Sequence, residues 1–275
     1  MAFSTVPQPP LLPSALGPAK VHVLGANGLR LQGLTSFHLD EGPDFVWLNI
    51  YRTLADGRQL EITRERQPEQ VEIVDGQAVV RWPACDAVAG QLGASYRVVE
   101  EEMAVDATFT AHVQAPYGCF ELFIASYFTP FYTPRYAVRD NRTHPDGVFW
   151  YTKQWYGPDE CESWARDQKA EAVFADGRWQ SGYPLNWRRG PHFAHPLMTQ
   201  EHRYGHAVLL MARPQDCCGI SGFNSYHNAQ YFHLFGEDVV PGQAVSATIR
   251  MVLLTEWEDL QEEALARYKA WVGDA

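Results

Sequence analysis

From Lys20 to about Val113 the chain alternates apolar and polar positions in short runs: KVHVLG, LRLQGLTSFHLDEG, FVWLNIYRTL, RQLEITRE, QVEIVDG, QAVVRWP, ASYRVVEEEMAV and ATFTAHVQAP. In QVEIV, Val71 and Ile73 fall on one side and Glu72 and Val74 on the other, the period of a strand. Asn27-Gly28, Asp56-Gly57 and Asp75-Gly76 punctuate these runs, and Asx-Gly pairs are strong short-range hairpin signals. Regular strands return in HRYGHAVLLMARP, GISGFNSYHNAQYFHLFG and QAVSATIRMVLLTEW, the last with Ala247, Ile249, Met251 and Leu253 on one side. The chain then changes period. DLQEEALARYKAWV places Leu260, Ala264, Tyr268 and Trp271 at helical spacing, with Glu early and Arg and Lys late, as the helix dipole prefers. The pattern predicts an all-β protein: a large antiparallel β-sandwich with a C-terminal amphipathic helix.

Residues 1–18, with five prolines, read as a proline-rich arm on the surface or on a partner, and 19–275 as one sandwich domain. Between 129 and 200 the pattern is irregular, with prolines at 130, 134, 145, 158, 184, 191 and 196 marking loops. Within it, DQKAEAVFADGRWQSGYPL reads as a strand or short helix followed by an Asp176-Gly177 turn.

Charge narrows the partners. A net charge of −11 argues against nucleic acid and anionic membrane surfaces, which need a basic footprint. No run is apolar enough for a secretory signal or a membrane span. Five cysteines, an odd number without CxxC spacing, argue against a disulfide framework and a Cys-rich zinc site. A reduced cytoplasmic protein without a cofactor or metal is the expectation.

The aromatic residues are unevenly placed. Thirteen fall in the forty positions from Tyr117 to Tyr156, together with Glu121, Arg135, Arg139, Arg142, His144 and Lys153. Such a mixture suits the wall of a concave site as well as a core. Glu121 stands inside the apolar run FELFIASYF, where a carboxylate must be paired or reach water, and Tyr127 shares its face if that run is a strand. On one strand His202 and His206 would lie about 13 Å apart at ~3.3 Å per residue. One zinc at ~2 Å from each nitrogen could not join them; with Tyr204 they would form a ligand-facing row. Loop histidines His192 and His195, and His227 beside Asn224 and Asn228, are further candidates for hydrogen-bonding a ligand. Trp155 and Trp187 are candidate stacking platforms, and Arg135 and Arg188 candidate anion grips. No G-x-S-x-G, P-loop or dinucleotide fingerprint is present.

FELFIASYF and the ending YFHLFGEDVVPGQAVSATIRMVLL, followed by a helix, resemble bacterial proteins with the galactose mutarotase-like β-supersandwich. In that fold two large sheets pack face to face and one concave side binds a sugar. The resemblance implies a carbohydrate-active protein without choosing its reaction, since aldose epimerases, polysaccharide lyases and domains of glycoside hydrolases share the fold. Mutarotases open the ring with a His acid and a Glu base near the chain end. Here the late carboxylates are Glu237, read into a turn at 236–238, and Glu256, after the last strand.

These readings converge on a carbohydrate-active enzyme using acid/base chemistry on a sugar or uronate. His206, His227, Tyr127 and Glu121 are its expected catalytic groups, and Arg135, Arg188, Trp155, Trp187, His202, Tyr204, His192 and Asn224 its expected substrate contacts. Two other readings stand beside it. One is a non-catalytic sugar-binding protein on the same fold, the other a β-domain whose aromatic middle packs on a second copy in a homo-oligomer.

Overall fold

The structure, a computed structural model, describes residues 11–12, 21–24, 33–35, 46–66, 70–140, 147–152, 160–179, 186–224 and 228–273. β1 (Leu11–Leu12), β2 (Val21–Leu24), β3 (Gly33–Thr35) and β4 (Val46–Trp47) form a four-stranded sheet in chain order. Next come β5 (Asn49–Ala55), β6 (Arg58–Glu61), β7 (Gln70–Val74), β8 (Gln77–Trp82), β9 (Gly90–Val99) and β10 (Ala104–Val113). The centre holds β11 (Tyr117–Phe128), β12 (Tyr132–Asp140), β13 (Gly147–Thr152), β14 (Glu160–Ala165), helix α1 (Gln168–Phe174) and β15 (Asn186–Arg189). β16 (Phe193–His202), β17 (His206–Ala212), β18 (Cys217–Asn224), β19 (Asn228–Val239), β20 (Ala244–Leu254) and helix α2 (Leu260–Gly273) complete the chain.

Two large sheets follow, a nine-stranded one in the order β13-β12-β16-β17-β20-β10-β9-β8-β7 and a seven-stranded one in the order β15-β14-β18-β19-β11-β5-β6. Pairing is antiparallel except between β14 and β15. The main core lies between the two sheets. Phe120, Leu122, Ile124, Phe232 and Leu234 of one meet Tyr96, Phe109, Ala247, Ile249, Met251 and Leu253 of the other. The all-β sandwich expected from the alternation is present, and two of the expected Asx-Gly turns close hairpins, while Asn27-Gly28 lies outside the described residues. Asp56 and Gly57 take φ 53° and 67°, and Asp75 and Gly76 take 50° and 76°. Both central residues of a type I′ turn need positive φ, so these pairs suit the twist of the flanking strands.

Leu11–Leu12, inside the expected arm, pair with β2, and the rest of the arm lies outside the described residues. Two expectations change. The run ASYRVVEEEMAV is not one strand, because β9 ends at Val99 and Glu100–Glu102 form a single 3-10 turn. Met103 at φ 50° then reverses the chain, so that β10 pairs back along β9. The middle is also more regular than its prolines suggested. Pro134 sits in β12 beyond the end of the β13 ladder, which starts at Arg135, so its missing N–H costs nothing on that side. Pro196 sits in β16 within a register irregularity against β12.

Helix α2 matches its pattern: Leu260, Ala264, Tyr268 and Trp271 are its buried residues. They cover Ala137, Leu197, Leu209, Met211 and Val252 on the outer face of the nine-stranded sheet. The last turn carries no basic residue, because the helix runs on to Gly273 beyond Arg267 and Lys269. Its start is fixed by Asp259, whose Oδ1 accepts from the backbone N–H of Gln261 at 2.8 Å and of Glu262 at 2.9 Å. Removing this cap in Asp259→Ala is expected to cost about 1 kcal/mol in urea unfolding, with the denaturant slope unchanged.

Candidate functional site

The outer face of the seven-stranded sheet carries a buried ionic group and an aromatic wall. Along β11 the residues alternate, so Phe120, Leu122 and Ile124 fill the core while Glu121, Phe123, Ala125 and Tyr127 point away from it. β19 repeats the pattern, with Phe232 and Leu234 inward and Tyr231 and His233 outward. Between β11 and β5 the register slips: Phe123 lies opposite Arg52 but Ile124 lies opposite Ile50. Tyr51 is the extra residue of this bulge and joins Arg52 on the outer face.

Glu121, His233 and Arg178 form an ionic group with fully buried side chains. Glu121 Oε1 lies 2.7 Å from His233 Nδ1, and Arg178 Nη1 donates to Glu121 Oε2 at 2.7 Å. The other face of the arginine fork is held by Asp176, through Nε at 3.0 Å and Nη2 at 2.7 Å, and Nη2 also donates to the Cys119 carbonyl at 2.9 Å. On the far side of His233, Nε2 lies 2.6 Å from Ser221 Oγ, which in turn donates to Ser163 Oγ at 2.8 Å. With that hydroxyl proton directed at Ser163, the Ser221 oxygen faces His233 Nε2 with its lone pairs. Burial alone would raise the Glu121 carboxyl, but His233 and Arg178 outweigh it and hold the group below the ordinary carboxylate range. Arg178 is held above its usual value: burial opposes this, and Glu121 and Asp176 outweigh it.

The segment that brings Arg178 to the sheet is α1, capped by Asp167 accepting from Ala170 N–H at 2.9 Å. Phe174 at its end packs on His233, ring centroids 4.5 Å apart, directly over Gly219. A Cβ at Gly219 would collide with that ring. The segment read as a strand or short helix is therefore a helix, and its aromatic end closes the ionic group from above.

Beside this group stands an aromatic and cationic wall. Phe123 lies against Tyr231 at 4.7 Å, Trp179 at 4.9 Å and His233 at 4.8 Å. Arg64 donates to the Tyr127 hydroxyl at 2.6 Å, and its guanidinium carbon stands 3.8 Å from the Tyr51 ring centre. Arg52 lies over the same ring at 4.6 Å and donates to its hydroxyl at 3.2 Å. Tyr127, Arg64 and Trp179 are the half-buried members, which reach towards solvent from a buried base. Desolvation raises the Tyr231 hydroxyl well above its ordinary value, so it stays protonated.

Glu121 and Tyr127 thus share a face, as their spacing predicted. The other expected residues fall elsewhere. His202 and His206 are not two positions of one strand: Gly205 at φ 88° closes a hairpin, and they sit opposite each other on β16 and β17. Their rings stack at 4.3 Å, so the 13 Å separation is wrong. His206 Nε2 meets the Tyr132 hydroxyl at 2.9 Å, while His202 Nδ1 accepts from the Tyr204 backbone at 3.3 Å. This cluster belongs to the nine-stranded sheet, with the Tyr204 side chain exposed. Among the described residues no group of three or more His, Cys, Asp or Glu could hold a metal.

Arg135 is engaged with Glu201 at 2.5 Å, and His192 with Glu171 at 3.0 Å. His195 packs on Tyr268 of α2, and Asn224 ends β18 opposite Asn228. Trp187 and Arg188 lie on β15, opposite Cys161 and Glu162, with side chains outside the described residues. Arg142, His144, Lys153, Trp155 and His227 lie outside them altogether. Glu237 belongs to β19 instead of a turn, because Phe235 at φ 72° and Gly236 at 74° kink the strand without ending it. Glu237 and Glu256 are exposed and take no part in the ionic group. His233, Arg178, Arg64 and Trp179 were missed. His233 had a signal like that of Glu121, a polar side chain in an apolar run (YFHLF) that needs a charged partner.

Two acid transitions should separate in stability measured against pH. His206 is depressed from 6.5 to about 4, by burial first and His202 second. The unfolded chain then binds the extra proton first, so stability is lost as pH falls from 6.5 towards 4. His206→Gln is expected to remove this part of the slope. Glu121 is lowered, so its contribution is present above the ordinary carboxylate range and is lost only as pH falls below it. Glu121→Gln should cost about 3–5 kcal/mol at neutral pH, the scale for breaking a buried pair. Urea titrations from pH 8 to 3 check both.

No family model and no curated protein matches the sequence. Solved structures do. A candidate aldose 1-epimerase from Escherichia coli K12 matches over 90% of this chain and 99% of its own, with TM-score 0.52 and 10% identity. A protein from Synechocystis sp. PCC 6803 matches over 93% and 100%, with TM-score 0.51 and 11% identity. The α-N-acetylgalactosaminidase NagBb from Bifidobacterium bifidum gives TM-score 0.56 and 10% identity, over 96% of this chain and 38% of the enzyme. Sheet order, the C-terminal helix and these likenesses agree: the chain has a galactose mutarotase-like β-sandwich fold.

Proposed function

We propose that the protein is a carbohydrate-active enzyme that works by acid/base chemistry of the epimerase or lyase type. Its sugar or uronate would lie on the outer face of the seven-stranded sheet. The observation that carries the reading is the Arg64–Tyr127 pair, 2.6 Å apart and half-buried on the same face as the buried Glu121–His233–Arg178 group. Tyr127 oxygen accepts from Arg64, so the phenol proton is the one it can pass on. A guanidinium at that distance stabilises the negative charge left behind and can also neutralise a substrate carboxylate. Trp179, half-buried at the edge of the wall, supplies a face for the apolar side of a sugar ring. Glu121, His233 and Arg178 act as positioning residues: they fix Phe123 and the segment carrying Trp179.

A second reading, non-catalytic sugar binding on the same face, is favoured by one observation. Glu121 and His233 have fully buried side chains and are engaged with each other, which suits a rigid frame better than a group that meets substrate.

Polarimetry of galactose and glucose, together with absorbance of unsaturated products from uronate oligosaccharides, tests the choice. Turnover that falls about 10²–10⁴-fold in Tyr127→Phe, with sugar binding and melting temperature kept, supports acid/base work by Tyr127. Full turnover in that variant sinks the assignment. Saturable binding without any product supports the second reading.

A further inference from the structure

The outer face of the nine-stranded sheet is only partly covered by α2. Where β8, β9, β10 and β20 run beyond the helix, two concavities of about 420 Å3 and 460 Å3 adjoin, sharing Gln77 and Thr108. The larger is lined by Gln77, Arg97, Glu102, Asp106, Thr108, Arg213, Thr248, Arg250 and Trp271. Of these, five carry charge, three positive and two negative, on a protein whose net charge is −11.

The pairing inside this cavity is unequal. Arg250 is fully committed: Nε and Nη2 reach the two Asp106 oxygens at 2.7 and 3.0 Å, and Nη1 reaches Glu102 at 2.5 Å. Arg97 gives one bond to Asp106 at 2.9 Å, and its side chain is 58% exposed. Arg213 is different. Its guanidinium makes no hydrogen bond or ion pair among the described residues, and its Nε is buried without a partner. It rests 5.3 Å from the Trp271 ring centre, while Arg250 lies 5.6 Å from the same ring. A buried N–H of a guanidinium left unpaired is costly unless something fills the place. Both acids of the cavity already answer Arg250 and Arg97; Asp216, outside the lining, feels the charge of Arg213 but makes no hydrogen bond to it, so the guanidinium fork is open to an incoming anion.

We propose that this cavity binds the oxyanion of a small ligand, a carboxylate or a phosphate, with Arg213 as its main guanidinium and Arg97 as the second. The planar fork of Arg213 matches two oxygens of either group. Gln77 and the hydroxyls of Thr108 and Thr248, which share a bond at 2.9 Å, add neutral polar contacts on the cavity wall. The volume suits a ligand of monosaccharide size. The site lies on the opposite sheet from Tyr127 and does not depend on the function proposed above.

Calorimetric titration at low ionic strength tests this, with inorganic phosphate, D-glucuronate and, as a neutral control, glucose. At least one of the two anions is expected to bind, more weakly as salt is added. Arg213→Gln should weaken that binding by about tenfold or more, with an unchanged far-ultraviolet spectrum. Arg97→Gln, at an exposed side chain that leaves the fold intact, should weaken it several-fold; Arg58→Gln, on the other sheet, should not. Tighter glucuronate points to a sugar acid and tighter phosphate to a phosphorylated ligand. The proposal is overturned if neither anion binds the native protein. It also fails if anion binding survives both Arg213→Gln and Arg97→Gln, or is lost in Tyr127→Phe instead.

Discussion

The outer face of the seven-stranded sheet depends on one buried ionic group. Four charged or chargeable side chains, Glu121, His233, Arg178 and Asp176, are clasped where two adjacent strands meet the segment after α1. Taking such groups from water costs several kcal/mol each, and only close pairing with saturated hydrogen bonding offsets it. Such a cluster adds little net stability, but it is specific. Arg178 has one place on the sheet where its fork is satisfied, and that place fixes the approach of α1, Phe174 and Trp179. The wall of the candidate site is therefore set by electrostatics beneath it.

The fold was largely legible because sheets of this kind write themselves in period two. Val71 and Ile73, the paired Asx-Gly turns and the Ala247–Leu253 alternation all report local geometry. Glu121 was legible for a related reason, since a carboxylate in an apolar run demands a partner. Which partner it takes was not. Arg178 is distant in sequence and sits in a segment whose conformation is decided by contact with the sheet, with Gly219 admitting Phe174 where any other residue would exclude it.

His202 and His206 show the opposite failure. Their four-residue spacing was read along one strand, whereas Gly205 folds them face to face. A single positive-φ glycine converts the largest separation available to that spacing into a ring stack. Prolines misled in the other direction. Pro134 and Pro196 suggested loops but lie in strands, Pro134 outside the β13 ladder and Pro196 within a register irregularity against β12.

The bulge at Tyr51 separates two inheritances of strand β5. Before it, Ile50 pairs with Ile124 in the core; after it, Arg52 pairs with Phe123 on the outer face, and both keep the parity of an uninterrupted ladder. Tyr51 is thus a surplus letter in an otherwise complete word. Lineages on this scaffold could gain or shed a ring at that point by changing chain length by one residue, leaving every other side chain on its own face. The outer face could change there by insertion and deletion, while the interior evolves under separate rules.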